Sequence, residues 1–477
     1  MNLSVASALR IDTSIRAAFI GAGGKTTVIF QAARSISSPV IVTATSHLGT
    51  WQAELADRHI IAETTAQLKA LEKGSIGIVL VTGNVQGDRT KPVNDDLLNW
   101  LHQFCGYHSI PFLIEADGSR QKPLKAWADH EPPIPPFVNL VVHAAGLSGL
   151  GKILSEEIVH RADIFSRLSG LTIGEAITTE GIVNAMTHPA GALKNIPPYA
   201  RRVAVLNQAD TVELQSSAYR MVKPLLSAYD SVAISSLKSG KIFAVHEPVA
   251  GIVLAAGESA RYGQAKQLLD WRGEPFVRAV ARTSLEAGLS PVIVVTGANA
   301  EKIEAAVRGL DIKTVRNTDW KSGQASSIRA GLVGLPSSPA AKEPVAGVGN
   351  LAQIKQTEIP YSPENTQAGS KRDRVGAAVF LLADQPQVTT SVLRALIEKH
   401  AEGLHPIVAP MVMDQRANPV LFDRVTFRDL ASIGGDVGGR AIFDRYRVEY
   451  LPWHDDRLLL DVDTPEMYQR LVSDNTL

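Results

Sequence analysis

Twice in this chain an apolar run of strand length ends in a glycine turn. Ala17-Ala18-Phe19-Ile20 enters Gly21-Ala22-Gly23-Gly24-Lys25-Thr26-Thr27, and Val249-Ala250-Gly251-Ile252-Val253-Leu254 enters Ala255-Ala256-Gly257. A strand that is apolar at every position must be covered on both faces, which a parallel sheet with helices on either side achieves. Glycine allows the turn and lets backbone N–H groups gather around an anion. Strand-like runs alternate with helix-period segments elsewhere, so the expected class is α/β. The expected division is an N-terminal P-loop-like α/β domain over residues 1–245 and a C-terminal Rossmann-like domain over residues 249–477 with a mostly parallel sheet. His246-Glu247-Pro248 reads as the linker, because Pro248 blocks helix continuation.

Composition excludes several classes. The 477 residues suffice for two to four domains. Lys plus Arg (48) equals Asp plus Glu (48), which leaves no overall polycation for nucleic acid or an anionic membrane, so phosphate binding must be local. The one cysteine, Cys105, cannot form an intrachain disulfide. The longest apolar runs are about 9 residues, against roughly 20 for a membrane span. The first residues, MNLSVASALRIDTSIR, lack a basic segment followed by an apolar one. A cytoplasmic location is expected. The segment from Leu335 to Arg374 is rich in Pro, Ser, Ala, Gln and Lys. It reads as a disordered insertion between a helix over 326–332 and a strand over Ala377–Leu382.

The second glycine turn carries the most chemistry. Leu254, Ala255, Ala256, Gly257 and Ser259 form a small-residue wall that admits a nucleoside triphosphate. Arg261 can fork onto the outgoing phosphates, and Lys266 can act as a point charge near the reacting one. Asp384, in Leu382-Ala383-Asp384-Gln385-Pro386 at the end of a buried strand, is the best magnesium ligand. Asp463 is the second, with Asp461 as the alternative, since both flank Val462 on one face of an expected strand.

These residues resemble the nucleotidyltransferase signature of the molybdenum cofactor transferases, over most of residues 251–471. Asn317, Gly323-Gln324-Ala325-Ser326-Ser327, Asn418-Pro419-Val420, Gly435-Asp436-Val437-Gly438-Gly439-Arg440 and Asp461-Val462-Asp463-Thr464-Pro465 match in order and spacing. The Leu-Ala-Ala-Gly form is similar to the cytidylyltransferase (MocA-like) branch, whereas guanylyltransferases usually have a second glycine at Ala256. The resemblance implies CMP transfer from CTP to molybdopterin–molybdenum, with Mg²⁺, giving the cytosine dinucleotide cofactor and pyrophosphate. It also implies a molybdenum hydroxylase apo-enzyme as partner. A phosphate monoester is largely ionised at pH 7, its second pKa being about 6, so the acceptor needs no general base. Two alternatives stay open: a nucleotide-gated chaperone that only carries the cofactor, and a guanylyl- or sugar-phosphate nucleotidyltransferase.

In the first glycine turn, Gly21, Gly23 and Gly24 allow a nest of N–H donors, Lys25 reaches β/γ oxygens, and Thr26 can hold Mg²⁺. Phe19 stands where a P-loop has its first glycine. ATP and GTP are both open as its ligand. Leu113-Ile114-Glu115-Ala116-Asp117-Gly118-Ser119 supplies a buried strand ending in carboxylates, as a Walker-B element would. Asn207-Gln208-Ala209-Asp210 is similar to a guanine-reading Asn-Lys-x-Asp element, and equally to a helix N-cap. With Arg120–Pro132 and His160-Arg161, these stretches resemble the YqeC-like family linked to selenium-dependent molybdenum hydroxylases, which implies nucleotide binding.

Overall fold

The computed structural model describes residues 3–37, 39–71, 76–258, 262–336 and 375–473. Ser259, Arg261 and nearly all of the insertion expected over 335–374 lie outside the described residues.

Two large sheets form among the described residues, and each is built around one of the two apolar runs. In the first half the strands are β1 (Arg16–Gly21), β2 (Val40–Ala44), β3 (Arg58–Ile61), β4 (Ile78–Thr82), β5 (Phe112–Glu115), β6 (Leu140–Gly146), β7 (Arg201–Asn207), β8 (Ser231–Ser236) and β9 (Lys241–His246). Their order is β9-β8-β7-β6-β1-β5-β2-β4-β3, parallel except for the β8–β9 pair. In the second half they are β10 (Val249–Ala255), β11 (Val292–Thr296), β12 (Lys313–Arg316), β13 (Ala377–Leu382), β14 (Ile407–Val412), β15 (Gln415–Arg416), β16 (Val420–Asp423) and β17 (Val448–Pro452). Their order is β12-β11-β10-β13-β16-β14-β15, with β17 beside β14. Here β12-β11-β10-β13 run parallel and β16 is antiparallel to both neighbours. The α/β class with mostly parallel sheets is what the uninterrupted apolar runs require.

The side-chain alternation shows why those runs are apolar throughout. In β1, Ala18 and Ile20 pack into one hydrophobic cluster and Ala17 and Phe19 into another on the opposite face. In β10, Val249, Val253 and Ala255 face one cluster, Ala250 and Ile252 the other. Both glycine turns lie where strand order reverses. The chain leaves β1 toward β5 and β2 and later returns on the β6 side. It leaves β10 toward β11 and β12 and returns at β13. Open α/β sheets bind ligands at such switch points, beyond the carboxyl ends of the strands.

The linker is not a solvated tether. Strand β9 ends at His246 and β10 starts at Val249, while Glu247 between them is 6% exposed and ion-paired to Arg10 and Arg201. Among the described residues no helix is long and apolar enough to cross a membrane.

Candidate functional site

After β10 the chain turns at Ala256-Gly257-Glu258, and the short turn Lys266–Leu268 brings it back against that loop. The Gln267 side-chain amide donates to the Gly257 carbonyl at 2.9 Å and fixes the approach. On the neighbouring strand Ala383 N–H donates to Leu254 O at 3.1 Å, which sets Asp384 beside the glycine turn. The Lys266 ammonium lies 2.8 Å from Asp463 and 3.3 Å from Asp384. Burial works against its charge, but the hydrogen bond it donates to Asp463 and the field of Asp384 outweigh it and hold the amine above its ordinary range. Burial pushes the Asp384 carboxyl up, with Lys266 opposing.

Lys266, Asp384 and Asp463 line a cleft of about 720 Å³ together with Leu254, Ala256 and Gly257. Its far wall comes from Trp320–Gln324 and Asp436. Gly323 sits at φ +106°, and a Cβ there would lie 2.6 Å from the Gly435 carbonyl. The close approach lets Gln324 N–H donate to Asp436 Oδ1 at 3.3 Å. Asn317 braces this wall from behind, its amide donating to Ser326 and Ser327 hydroxyls at 2.7 and 3.1 Å. A second cleft of about 370 Å³ shares Leu254, Gln324 and Leu382 with the first. Phe380, Phe422, Phe443, Arg416, Asn418 and Arg440 line it, and the Arg416 guanidinium lies 5.0 Å from the Phe443 ring centre.

Leu254, Ala256, Gly257, Lys266, Asp384 and Asp463 are thus brought together. Ala255 is fully buried in β10 and does not line the cleft. The expected strand through 461–463 does not form. Instead the Gln385 amide donates to Asp461 at 2.8 Å, and Asp463 alone of that pair reaches Lys266. Among the described residues no group of three or more His, Cys, Asp or Glu side chains is arranged to hold a metal. Two carboxylate donors nonetheless fit a magnesium ion, which commonly takes one or two and fills its other positions with phosphate and water.

In the first half, β1 passes through Ala22-Gly23-Gly24 into the helix Lys25–Arg34. Ala22 N–H is bonded to Ala144 O (2.9 Å), Gly23 N–H to Lys122 O (3.1 Å) and Gly21 N–H to Asp117 Oδ2 (3.1 Å). The loop's early donors are therefore occupied, and those offered to an anion are at the first turn of the helix, Lys25 to Thr27, as at any helix start. The Lys25 ammonium does not extend outward: it donates to Gly21 O at 2.6 Å and pairs with Asp117 at 3.1 Å. Burial would raise the Asp117 carboxyl, but Lys25 and Lys125, with N–H donors from Gly21 and Trp127, hold it below the usual range. Burial raises Glu115, which accepts from the Thr26 hydroxyl at 3.2 Å.

Comparison with known proteins gives this arrangement a family. A family model described as YqeC protein matches residues 17–163. The "Uncharacterized protein YqeC" of Escherichia coli K12 is 30% identical over 214 residues, which are 43% of this chain and 80% of that protein. The chain belongs to the YqeC family. Its second half is a MobA-like NTP transferase domain, matched over residues 251–450. That region is also similar to "Nicotine blue oxidoreductase" of Paenarthrobacter nicotinovorans, 29% identical over 237 residues, 47% of this chain and 96% of the relative. Rv0371c of Mycobacterium tuberculosis H37Rv, a solved structure, aligns at 27% identity over 47% of this chain and 98% of its own, with a TM-score of 0.36.

Within the transferase domain, Gln267, Trp320 and Lys321 are site residues the sequence reading missed. Gln267 follows Lys266 directly and was open to inference. Trp320 and Lys321 precede the matched Gly323 motif, but nothing local marks them as lining a cleft. Among the tightest described glycines of the YqeC domain is Gly23, at φ +70° with Gly146 N only 2.2 Å from where a Cβ would stand. Gly23→Ala is expected to destabilise the protein by about 2–4 kcal/mol, from crowding plus a left-handed backbone. The urea midpoint measures it, and an unchanged midpoint would show that Gly146 yields freely.

Proposed function

We propose that the transferase domain moves CMP from CTP onto the terminal phosphate of molybdopterin–molybdenum and passes the product to a molybdenum hydroxylase apo-enzyme. In this reading residues 1–245 and 249–477 act as two units, and the YqeC domain binds a nucleoside triphosphate at the turn over residues 21–26, with the backbone N–H groups of Lys25 and Thr26 facing its phosphates. One observation carries the transferase reading: Lys266 meets Asp384 and Asp463 at the glycine-walled cleft, next to a second cleft with aromatic and guanidinium walls.

The chemistry asks little more of the protein. An ionised phosphate oxygen of the acceptor attacks the α-phosphorus of CTP, the bond from α-phosphorus to the bridging oxygen breaks, and pyrophosphate leaves with the electron pair. Acceleration then comes from alignment and charge neutralisation rather than a base. Lys266 supplies fixed positive charge beside the phosphates. Ala256 and Gly257 let the triphosphate come close to the backbone. The aromatic cleft suits a flat heterocycle, with Arg416 and Arg440 near its phosphate. Magnesium held by Asp384 and Asp463 would neutralise phosphate charge when bound.

The test is pyrophosphate release by the full chain given CTP, Mg²⁺ and molybdenum cofactor. Release is expected with CTP only when the cofactor is present, and less with GTP or ATP. Binding without release favours the chaperone alternative, and equal release with GTP removes the preference for cytidine. The Paenarthrobacter relative carries an oxidoreductase name. A lysine between two carboxylates beside a glycine turn favours phosphate chemistry over hydride transfer, and the same assay decides between them.

A further inference from the structure

Asn207-Gln208-Ala209-Asp210, at the end of β7, has no part in that reaction. Its surroundings give it one in the YqeC domain. The Asn207 amide donates to Gly23 O at 2.8 Å, and its own oxygen accepts from Leu237 N–H at 3.1 Å and the Ser235 hydroxyl at 3.2 Å. One buried side chain therefore ties the glycine loop to the ends of β7 and β8. Gln208 adopts φ +62° and accepts from the Ser148 hydroxyl at 2.5 Å. Its oxygen lies 2.3 Å from where a Cβ on Gly146 would stand, and the Gly23 Cα lies 2.8 Å from the same point. Residues 207 and 208 thus press against the loop directly.

Asp210 follows with an exposed carboxylate that accepts from the Ser236 hydroxyl. The ordinary role for such an aspartate is to cap the helix Val212–Leu225. Thr211 does that instead, accepting from Leu214 N–H at 3.3 Å. The carboxylate is left at the rim of the strand ends, three residues from the asparagine that touches the loop.

We propose that the YqeC domain takes a guanine nucleotide and that Asp210 reads its base. Guanine presents its N1–H and 2-amino group side by side, and one carboxylate accepts both. Adenine has an acceptor at N1 and offers no such pair. The proposal rests on the nucleotide reading of this same site and adds the identity of the base.

Asp210→Asn supplies the sharpest test. Its amide accepts from N1–H and donates to the 2-carbonyl of xanthine, where guanine has a donor. Calorimetric titration of the full chain with GTP, ATP and XTP is expected to show GTP preferred. Asp210→Asn is expected to weaken GTP by about a hundredfold and to strengthen XTP by a similar factor, two charge-assisted hydrogen bonds being exchanged. A gain for XTP cannot come from misfolding. Equal binding of GTP and ATP by the parent chain, or unchanged GTP affinity in Asp210→Asn, overturns the guanine assignment. If the parent chain binds GTP and ATP equally, the broader nucleotide reading survives without the guanine assignment; if it binds neither, both readings fall.

Discussion

In the Lys266→Ala chain, cofactor-dependent pyrophosphate release from CTP is expected to fall by about 10²–10³-fold, with CTP binding weakened far less. The size is that of removing one preorganised charge aimed at a developing phosphate charge in a partly desolvated site. Ground-state binding is spread over the glycine wall and the residues around Gln324, so it survives in part. Transition-state charge falls mainly on the ammonium held between the two carboxylates, so kcat carries the loss. Lys266 is suited to this because Asp463 and Asp384 hold its proton on against partial burial. The contribution is also positional. Its ammonium spans two carboxylates, at 2.8 and 3.3 Å, and without it these anions face each other and the substrate. Lys266→Arg is expected to recover only part of the rate, since a planar fork does not occupy the place of a compact ammonium. Single-turnover kinetics with quantified pyrophosphate measure the effect, and urea titration of both variants checks the fold. Unchanged turnover in Lys266→Ala would take this residue out of the mechanism.

What the sequence made legible was local. β1, β10 and β13 could be read because each is apolar at consecutive positions, and both faces prove to be covered by separate hydrophobic clusters. Asp384 could be read because it directly follows a buried strand end, and Lys266 because it belongs to the segment that leaves the second glycine turn. The choice between Asp463 and Asp461 could not be made, because it turns on the bond from Gln385 to Asp461, 76 residues away. The wall built by Gln324 against Asp436 spans 112 residues and leaves no periodic trace. Lys25 shows a further limit: its place in the loop was evident, but its ammonium is drawn inward by Gly21 O and a buried Asp117. A motif names the residue types, and the direction in which a charge points depends on carboxylates supplied by other strands. The linker shows the same limit. His246-Glu247-Pro248 could be placed from Pro248, and only the packed structure shows Glu247 enclosed by two arginines.

That enclosure leads to the second large effect. Arg10→Ala is expected to destabilise the protein by about 3–5 kcal/mol, the cost of leaving buried charges without their partner. The Arg10 guanidinium donates through Nε to both Glu247 oxygens at 3.0 Å, and through Nη2 to Glu247 and Asp423 at 2.6 Å each. Glu247 joins the two sheets and also pairs with Arg201 at 2.8 Å, while Asp423 ends β16 and accepts from His400 at 2.7 Å. The side chains of Glu247 and Asp423 are 1% and 0% exposed, so water cannot replace the lost guanidinium. Because Arg10 is shared between the two halves, its removal is also expected to split calorimetric unfolding into two transitions. The pH dependence follows from the same carboxylates. Burial would raise both, but Arg10 and Arg201 around Glu247, and His400 and Arg10 around Asp423, hold them below the ordinary carboxylate range. A depressed folded pKa gives stability that is fully present above the unfolded value of about 4 and drains away as pH falls through the folded value. In Arg10→Ala the depression shrinks or reverses, so stability lost to acid begins to drain at higher pH than in the parent. A parent and variant with parallel acid-denaturation curves and a single shared transition would show that Arg10 decorates the junction without holding it.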